Sequence, residues 1–85
     1  MADVKDTLAE RGKLYGDFTG HSAITTQLKD IVRKHDSRLG SLHREALDMI
    51  MHKIGRILNG DPNYADSWHD IAGYATLVEQ RLEKK

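Results

Sequence analysis

Apolar residues recur at helical spacing along most of this chain, and no segment has the alternation of a β-strand. The spacing predicts a first helix from Asp3 to about Tyr15, which the glycine-containing segment 16–20 interrupts. It predicts a second helix from about Ser22 to Lys34, where basic residues suit the negative end of the helix dipole. The pattern therefore indicates an all-α protein. The predicted core faces of these two helices consist of Val4, Leu8, Tyr15, Ile24, Leu28, Ile31 and Val32.

The third helix is predicted from Leu42 to Leu58, with Ser41 in the N-cap position. Gly60 is expected to end it in the left-handed conformation that glycine tolerates. Its apolar residues share one face, which predicts the side that meets the core. These residues are Ala46, Leu47, Ile50, Ile54, Ile57 and Leu58.

The fourth helix is predicted to start with Asp61 as its N-cap and Pro62 at its first position, where the missing N–H of proline is harmless. It should continue to about Leu82. Four helices joined by short breaks predict a single domain over residues 1–85, with an up-down arrangement. The predicted core face of the fourth helix consists of Trp68, Ile71, Ala75, Val78 and Leu82.

Composition limits how such a domain can be stabilised. A chain of 85 residues buries only about 60–65% of the surface that its unfolded form exposes. The absence of cysteine excludes disulfides and thiolate metal sites. Association of several copies is then the simplest way to complete the core, so we expect a homo-oligomer.

Charge and hydropathy narrow the choice of partner and compartment. Basic and acidic residues balance at 13 each, whereas nucleic-acid binders normally carry a basic excess. No apolar run approaches the ~20 residues of a membrane span, and the charged N-terminus lacks the apolar segment of a signal peptide. We therefore expect a cytoplasmic protein that binds neither nucleic acid nor membrane.

Four carboxylates on the third and fourth predicted helices are the candidate chemistry. Acidic side chains on neighbouring helices, with Lys53 and Arg56 nearby, can hold a divalent cation and a phosphate. On the third helix they share a strip with Arg56, for which an ordinary solvated face is the alternative. The four carboxylates are Glu45, Asp48, Asp66 and Asp70.

The side of the fourth helix that carries Asp66 and Asp70 also contains Gly73 and Leu77. Glycine in the middle of a helix costs about 1 kcal/mol relative to alanine, and it is usually kept where a backbone or a ligand comes close. The leucine beside it indicates burial. We therefore expect this side to face another helix, from the same chain or from a partner subunit.

Several motifs resemble those of known proteins. The segments Arg11 to Gly16, Lys53 to Arg56 and Asp66 to Tyr74 resemble a group of small phage and prophage proteins. That group is related to the MazG-like all-α nucleotide pyrophosphohydrolases, which carry one acidic pair on each of two successive helices. The resemblance covers most of the chain and implies a MazG-like fold in a phage or prophage context.

The same resemblance implies a function for the carboxylates. A bound Mg²⁺ or Mn²⁺ would activate water to cleave a nucleoside triphosphate into a monophosphate and pyrophosphate, with Glu45 as the catalytic residue. The implied metal ligands are Glu45, Asp48, Asp66 and Asp70. The implied nucleotide-binding residues are Lys53, Arg56 and Arg11, with Lys13 within reach of the same phosphates.

Two positions differ from the pattern of those enzymes. Asp48 stands where a glutamate is expected, and Ser67 stands where a metal ligand is expected, with Asp66 one position away. Mg²⁺ requires near-octahedral oxygen geometry at about 2.1 Å. Serine at position 67 therefore favours a module that binds a nucleotide over one that hydrolyses it.

Structural roles for some of these residues remain open. Lys53 and Asp70 can form a salt bridge between helices. Trp68 belongs to the predicted core face in preference to a base-stacking role, which Tyr15 could also fill. The five histidines include no pair at His-x-x-x-His spacing, which disfavours zinc.

Three functions are therefore considered. The first is Mg²⁺-dependent binding and hydrolysis of a nucleoside triphosphate. The second is a module that sequesters a nucleotide without catalysis. The third is a phage protein whose helices bind and inhibit a host factor. A dependence on Mg²⁺ separates the first two from the third, and product formation separates the first from the second.

Overall fold

The computed structural model describes residues 3–83 and contains no strand within them. Its elements, in chain order, are α1 (Val4–Tyr15), α2 (Phe18–Lys34), α3 (Ser41–Asn59) and α4 (Ala65–Glu83). The prediction of an all-α chain with four helices is confirmed.

Helix α3 is the centre of the fold, because it packs against α2, against α4 and, over a shorter length, against α1. Contact on several sides means that its buried residues do not form one stripe. Of the predicted core face, Ala46 is buried but Leu58 is 66% exposed. The buried set on α3 consists of Ala46, Met51, Lys53 and Gly55.

Helix α2 begins four residues earlier than predicted. Asp17 is its N-cap, and the Asp17 carboxylate accepts a hydrogen bond from the Gly20 N–H at 3.3 Å. Gly16 has a φ of 77°, a conformation that L side chains rarely adopt. This glycine lets the chain turn directly from α1 into α2, so the predicted loop over 16–20 is shorter than expected.

The ends of α3 also differ from prediction. Gly40 is the N-cap, Ser41 is already helical, and the Gly40 N–H donates to His43 Nδ1 at 2.9 Å. At the other end Gly60 has a φ of −124°, so the predicted left-handed cap is wrong. Glycine is needed there because the backbone touches α1, where a Cβ on Gly60 would collide with the Leu14 carbonyl.

Helix α4 starts at Ala65, so the predicted start at Asp61 and Pro62 is wrong. Residues 61–64 form a turn instead. The Asp61 carboxylate accepts from the Asn63 N–H at 2.9 Å, and the Asp61 carbonyl accepts from the Tyr64 N–H at 3.3 Å. An aspartate side chain that bonds two residues ahead favours such a turn as readily as a helix cap.

The face of α4 that packs against α3 is rotated from the predicted one. Ser67 is 3% exposed, whereas Trp68 is 55% exposed. The indole N–H of Trp68 donates to the Pro62 carbonyl at 2.8 Å, so the ring lies over the turn before α4. The prediction that Trp68 and Leu82 belong to the core is therefore wrong, since Leu82 is also half exposed.

The hydrophobic core of the described chain is small. Its buried apolar side chains are Ala46 and Met51. The radius of gyration is 14.9 Å, against about 12 Å for a compact domain of this length. None of the described helices combines the length and apolar content needed to cross a membrane. Large apolar residues that remain exposed are Val4, Leu8, Phe18, Ile31, Leu42, Leu58, Trp68, Leu77 and Leu82.

Candidate functional site

The end of α3 is tied to the turn between α1 and α2. The side-chain amide of Asn59 donates to the Tyr15 carbonyl at 3.2 Å and to the Asp17 carbonyl at 2.7 Å. The Asp61 N–H donates to the Leu14 carbonyl at 2.8 Å. These bonds hold α1 beside α3, although α1 has no buried residue of its own.

An open groove lies between α1, α2 and α3, and we call it the cationic groove. Its volume is about 880 Å³, within the ~300–1,000 Å³ of typical small-molecule sites. The chain supplies basic, aromatic and hydroxyl groups to it. The residues that define the groove chemically are Arg11, Tyr15, Asp17, Phe18, His21, Ser22, Thr25, Thr26, Lys29, His52 and Arg56.

Two guanidinium groups meet at one aromatic ring in this groove. The Arg56 guanidinium lies 4.4 Å from the centre of the Tyr15 ring, and that of Arg11 lies 5.1 Å from it. The edge of the Tyr64 ring supports Tyr15 from the side, at 6.0 Å between centres. The π-system of Tyr15 attracts each of the two cations. Tyr15 therefore positions the arginines.

Deeper in the groove, two histidines lie side by side. The ring centres of His21 and His52 are 5.5 Å apart, with the planes at 67°. Lys29 Nζ is 3.1 Å from His52 Nε2. Because an ammonium can only donate, His52 Nε2 must accept, and the imidazole is neutral. His21 Nδ1 is buried and has no hydrogen-bond partner among the described residues.

The sequence permits this close packing through Gly55 on α3. A Cβ at that position would lie 2.9 Å from His21 Nδ1 and 2.7 Å from Thr25 Cγ2. The missing side chain therefore lets α2 approach the α3 backbone and brings His21 against it. Thr25 is itself buried, and its hydroxyl donates to the His21 carbonyl at 3.1 Å.

Burial and neighbouring cations lower the pKa of both histidines from their ordinary value. Desolvation is the larger cause for His21, followed by the charges of His52, Arg56 and Lys29. Desolvation also leads in lowering the pKa of His52, where Lys29 and Arg56 add to it and Asp48 opposes it. Both imidazoles are therefore neutral at neutral pH, in a groove whose surroundings already repel a further proton.

The basic residues of the groove lie apart from the carboxylates of the described chain. Among residues 3–83, no acidic side chain lies within 4.0 Å of Arg11, Lys29 or Arg56. Asp17 lines the groove, but its carboxylate caps α2 through the Gly20 N–H. Unpaired cations around a concave surface attract anions.

The predicted carboxylates are distributed over other surroundings. Asp70 lies 3.2 Å from Lys53 Nζ, so the inter-helix salt bridge considered for this pair is present. Asp66 is exposed and accepts from the Tyr64 hydroxyl at 3.0 Å, a bond that is the main cause of the raised pKa of Tyr64. Glu45 is exposed on α3, and Asp48 is partly buried.

No group of three or more His, Cys, Asp or Glu side chains within residues 3–83 has the proximity needed to hold a metal ion. Asp70 is neutralised by Lys53, and Asp66 is engaged by Tyr64. The described single chain therefore does not fit a magnesium centre built from the four carboxylates. We derive no chemical step through a metal held there.

The predicted nucleotide-binding residues divide into two sets. Arg11 and Arg56 come together at the groove, while Lys53 is buried at the α3–α4 contact, with a side chain only 9% exposed. Lys13 is exposed outside the groove. The sequence reasoning missed Phe18, His21, Lys29 and His52. On α2, His21, Thr25 and Lys29 recur every four residues, and this spacing could have indicated a polar face.

The fold and groove define a small helical protein with a cationic, partly aromatic groove. Residues 2–82 match the family described as "Domain of unknown function (DUF6378)", and the chain therefore belongs to that family. Comparison with curated proteins gave no match, and neither did comparison with solved structures.

Proposed function

We propose that this protein binds a nucleoside triphosphate in the cationic groove and sequesters it without turnover. The observation that carries the proposal is the convergence of Arg11 and Arg56 on Tyr15, with neither arginine paired to a carboxylate of the described chain. Guanidinium groups bind phosphate through two parallel hydrogen bonds.

Phe18 supports a nucleotide as the ligand over a simple phosphate. It lines the same groove, at the first turn of α2, and is 81% exposed. A stacked base contributes about 1–3 kcal/mol per aromatic platform. The ring would then cover the base while the arginines hold the phosphates.

Calorimetric titration of the protein with ribo- and deoxyribonucleoside triphosphates tests the proposal. We expect saturable binding, with Arg56→Ala lowering the affinity at least tenfold. The matched control is Arg81→Ala, because Arg81 is exposed on α4 and outside the groove. Phe18→Ala should weaken nucleotide binding and leave binding of inorganic triphosphate unchanged.

Mg²⁺-dependent hydrolysis, which the MazG-like resemblance implies, is a separate outcome of the same experiment. If the protein releases pyrophosphate with Mg²⁺ or Mn²⁺ and Glu45→Gln abolishes that release, the protein is an enzyme and the proposal of sequestration is wrong. Binding without pyrophosphate supports the sequestering module. If no nucleotide binds, the remaining proposal is a phage protein that inhibits a host factor in the host cytoplasm.

We also propose that the fold is completed by a second copy of the chain. The accessible surface is 6560 Å², whereas a compact monomer of 9.6 kDa exposes about 5,100 Å². The excess of about 1,500 Å² exceeds the ~800 Å² that each partner buries in a standard interface. The α4 side that carries Gly73 and Leu77 supports this, since nothing in the described chain beyond the adjacent α4 backbone lies within 4 Å of a Cβ at Gly73.

A further inference from the structure

We propose that His21, His52 and Lys29 form a second phosphate subsite, which binds the terminal phosphoryl groups of the ligand and takes up protons as it does so. This inference rests on the proposed function, because it concerns the inner part of the same groove. It specifies the ligand as a molecule whose polyphosphate chain is long enough to reach beyond the arginine pair. It also predicts that binding depends on pH.

The placement of the cluster supports a second subsite. Arg56 and His52 are one helical turn apart on α3, so the arginine pair and the histidine pair are consecutive along the groove. On α2, the groove-lining residues run from Phe18 to Lys29, which spans about 16 Å at 1.5 Å per residue. That length accommodates a base at one end and a chain of phosphates towards the other.

The Lys29–His52 contact is the part of the cluster that an anion can bridge. Lys29 Nζ donates to His52 Nε2 at 3.1 Å, whereas His21 Nδ1 is buried against Gly55 and has no partner within residues 3–83. If a phosphoryl oxygen entered between them, Lys29 and a protonated His52 could both donate to it. The hydroxyls of Ser22 and Thr26 line the same groove and are available as further donors.

Proton uptake follows from the charges around the two rings. His21 faces His52, Arg56 and Lys29, and all three disfavour its protonation. His52 faces Lys29, Arg56 and Lys53, and Asp48 is the one neighbour that favours its protonation. Phosphate oxygens placed among these cations would reverse the local potential, and both imidazoles would then bind protons from solvent near neutral pH.

Inorganic triphosphate is the probe that tests the subsite, because its binding does not need a base platform. Titration of the intact protein at pH 8 and pH 6 should show affinity at least tenfold higher at pH 6, since both imidazoles bind protons more tightly in the complex and their effects on affinity multiply. Titration in buffers of different ionisation enthalpy should show net proton uptake by the complex.

The double variant His21→Asn/His52→Asn should remove the protein's share of that proton uptake. The protonation of triphosphate itself is present for both proteins, so the difference between them belongs to the imidazoles. His69→Asn is the matched control, because His69 is exposed on α4. Lys29→Gln should weaken triphosphate binding at both pH values, whereas Lys34→Gln, also on α2 and exposed, should not.

A direct measurement on the unaltered protein does not depend on how the variants fold. The imidazole resonances of His21 and His52 should titrate below the ordinary histidine range in the free protein and above it with triphosphate bound. Unchanged titration on binding, or equal proton uptake in the double variant, would overturn the subsite. If nucleotides bind without proton uptake, the proposed function stands and the phosphate subsite is refuted. If inorganic triphosphate binds with proton uptake and nucleoside triphosphates bind no more tightly, the subsite stands and the nucleotide is refuted as the ligand.

Discussion

At the scale of single residues, Gly55 decides whether α2 and α3 can meet at the histidines. In Gly55→Ala, the new Cβ would lie 2.7 Å from Thr25 Cγ2 and 2.9 Å from His21 Nδ1. We expect overpacking to outweigh the gain of about 1 kcal/mol in helix propensity and to destabilise the fold by about 1 kcal/mol net. Urea unfolding measures this change. Gly12→Ala is the control, because no described atom beyond the adjacent α1 backbone lies within 4 Å of that Cβ. Equal stability of the two variants would contradict the packing argument.

The Lys53–Asp70 pair should respond asymmetrically to mutation. The Lys53 side chain is 9% exposed, while that of Asp70 is 43% exposed. Asp70→Asn leaves a buried ammonium without its counter-ion and should cost about 1–2 kcal/mol, less than a fully buried pair because water reaches Asp70. Lys53→Met keeps the packing and should be nearly neutral. Chemical denaturation of both single variants and of the double variant measures these changes. A greater loss of stability in Lys53→Met than in Asp70→Asn would contradict the argument that the buried ammonium is the costly partner.

The two histidines also predict how stability depends on pH. Their folded-state pKa values are lowered, so the unfolded chain binds more protons than the folded chain as pH falls. Their contribution is fully present above about pH 6.5, the unfolded value, and is lost as pH falls through and below it. The free protein should therefore be less stable at pH 5.5 than at pH 7.5. Thermal or urea unfolding should show that the stability of His21→Asn/His52→Asn varies less with pH than that of the unaltered protein. An equal dependence on pH in both proteins would assign the effect to other groups.

At the scale of elements, α1 is held by polar contacts at its C-terminal end. It has no buried residue, and Asn59 bonds the Tyr15 and Asp17 carbonyls. Asn59→Ala removes both bonds, at about 0.5–1.5 kcal/mol each. We expect a loss of about 1–2 kcal/mol and faster amide hydrogen exchange throughout α1. Asn63→Ala is the control, since its side chain is exposed in the 61–64 turn, and protection of α1 unchanged by Asn59→Ala would show that other contacts hold the helix.

At the scale of the whole molecule, the large exposed surface predicts association. Light scattering at micromolar concentration should give at least twice the chain mass of 9.6 kDa. Leu77→Glu should shift the equilibrium towards monomer, because Leu77 is 57% exposed beside Gly73. Gln27→Glu, exposed on α2, adds the same charge elsewhere and should have no such effect. A stable monomer of the unaltered chain would refute the assembly.

The sequence alone determined the local features of this protein. Helical spacing and the glycine breaks predicted four helices, and α3 and α2 end within a residue of where they were expected. It also indicated Lys53–Asp70 as a salt bridge, because residue type and helical register limit what those side chains can do. The phosphate-binding role of Arg11 and Arg56 stays a prediction. The start of α4 was mistaken because Asp61 favours a turn and a helix cap alike.

Only the tertiary structure decided which faces meet. The periodicity of α3 cannot show that it is contacted on several sides. His52 and Arg56 share the strip for which a solvated face was the alternative, and both line a groove under α2. The rotation of α4 that exposes Trp68 is accompanied by the Lys53–Asp70 contact and by the indole bond to Pro62. His21 and His52 lie 31 positions apart in the sequence and meet because Gly55 lets two backbones approach, a long-range packing effect that no local pattern encodes.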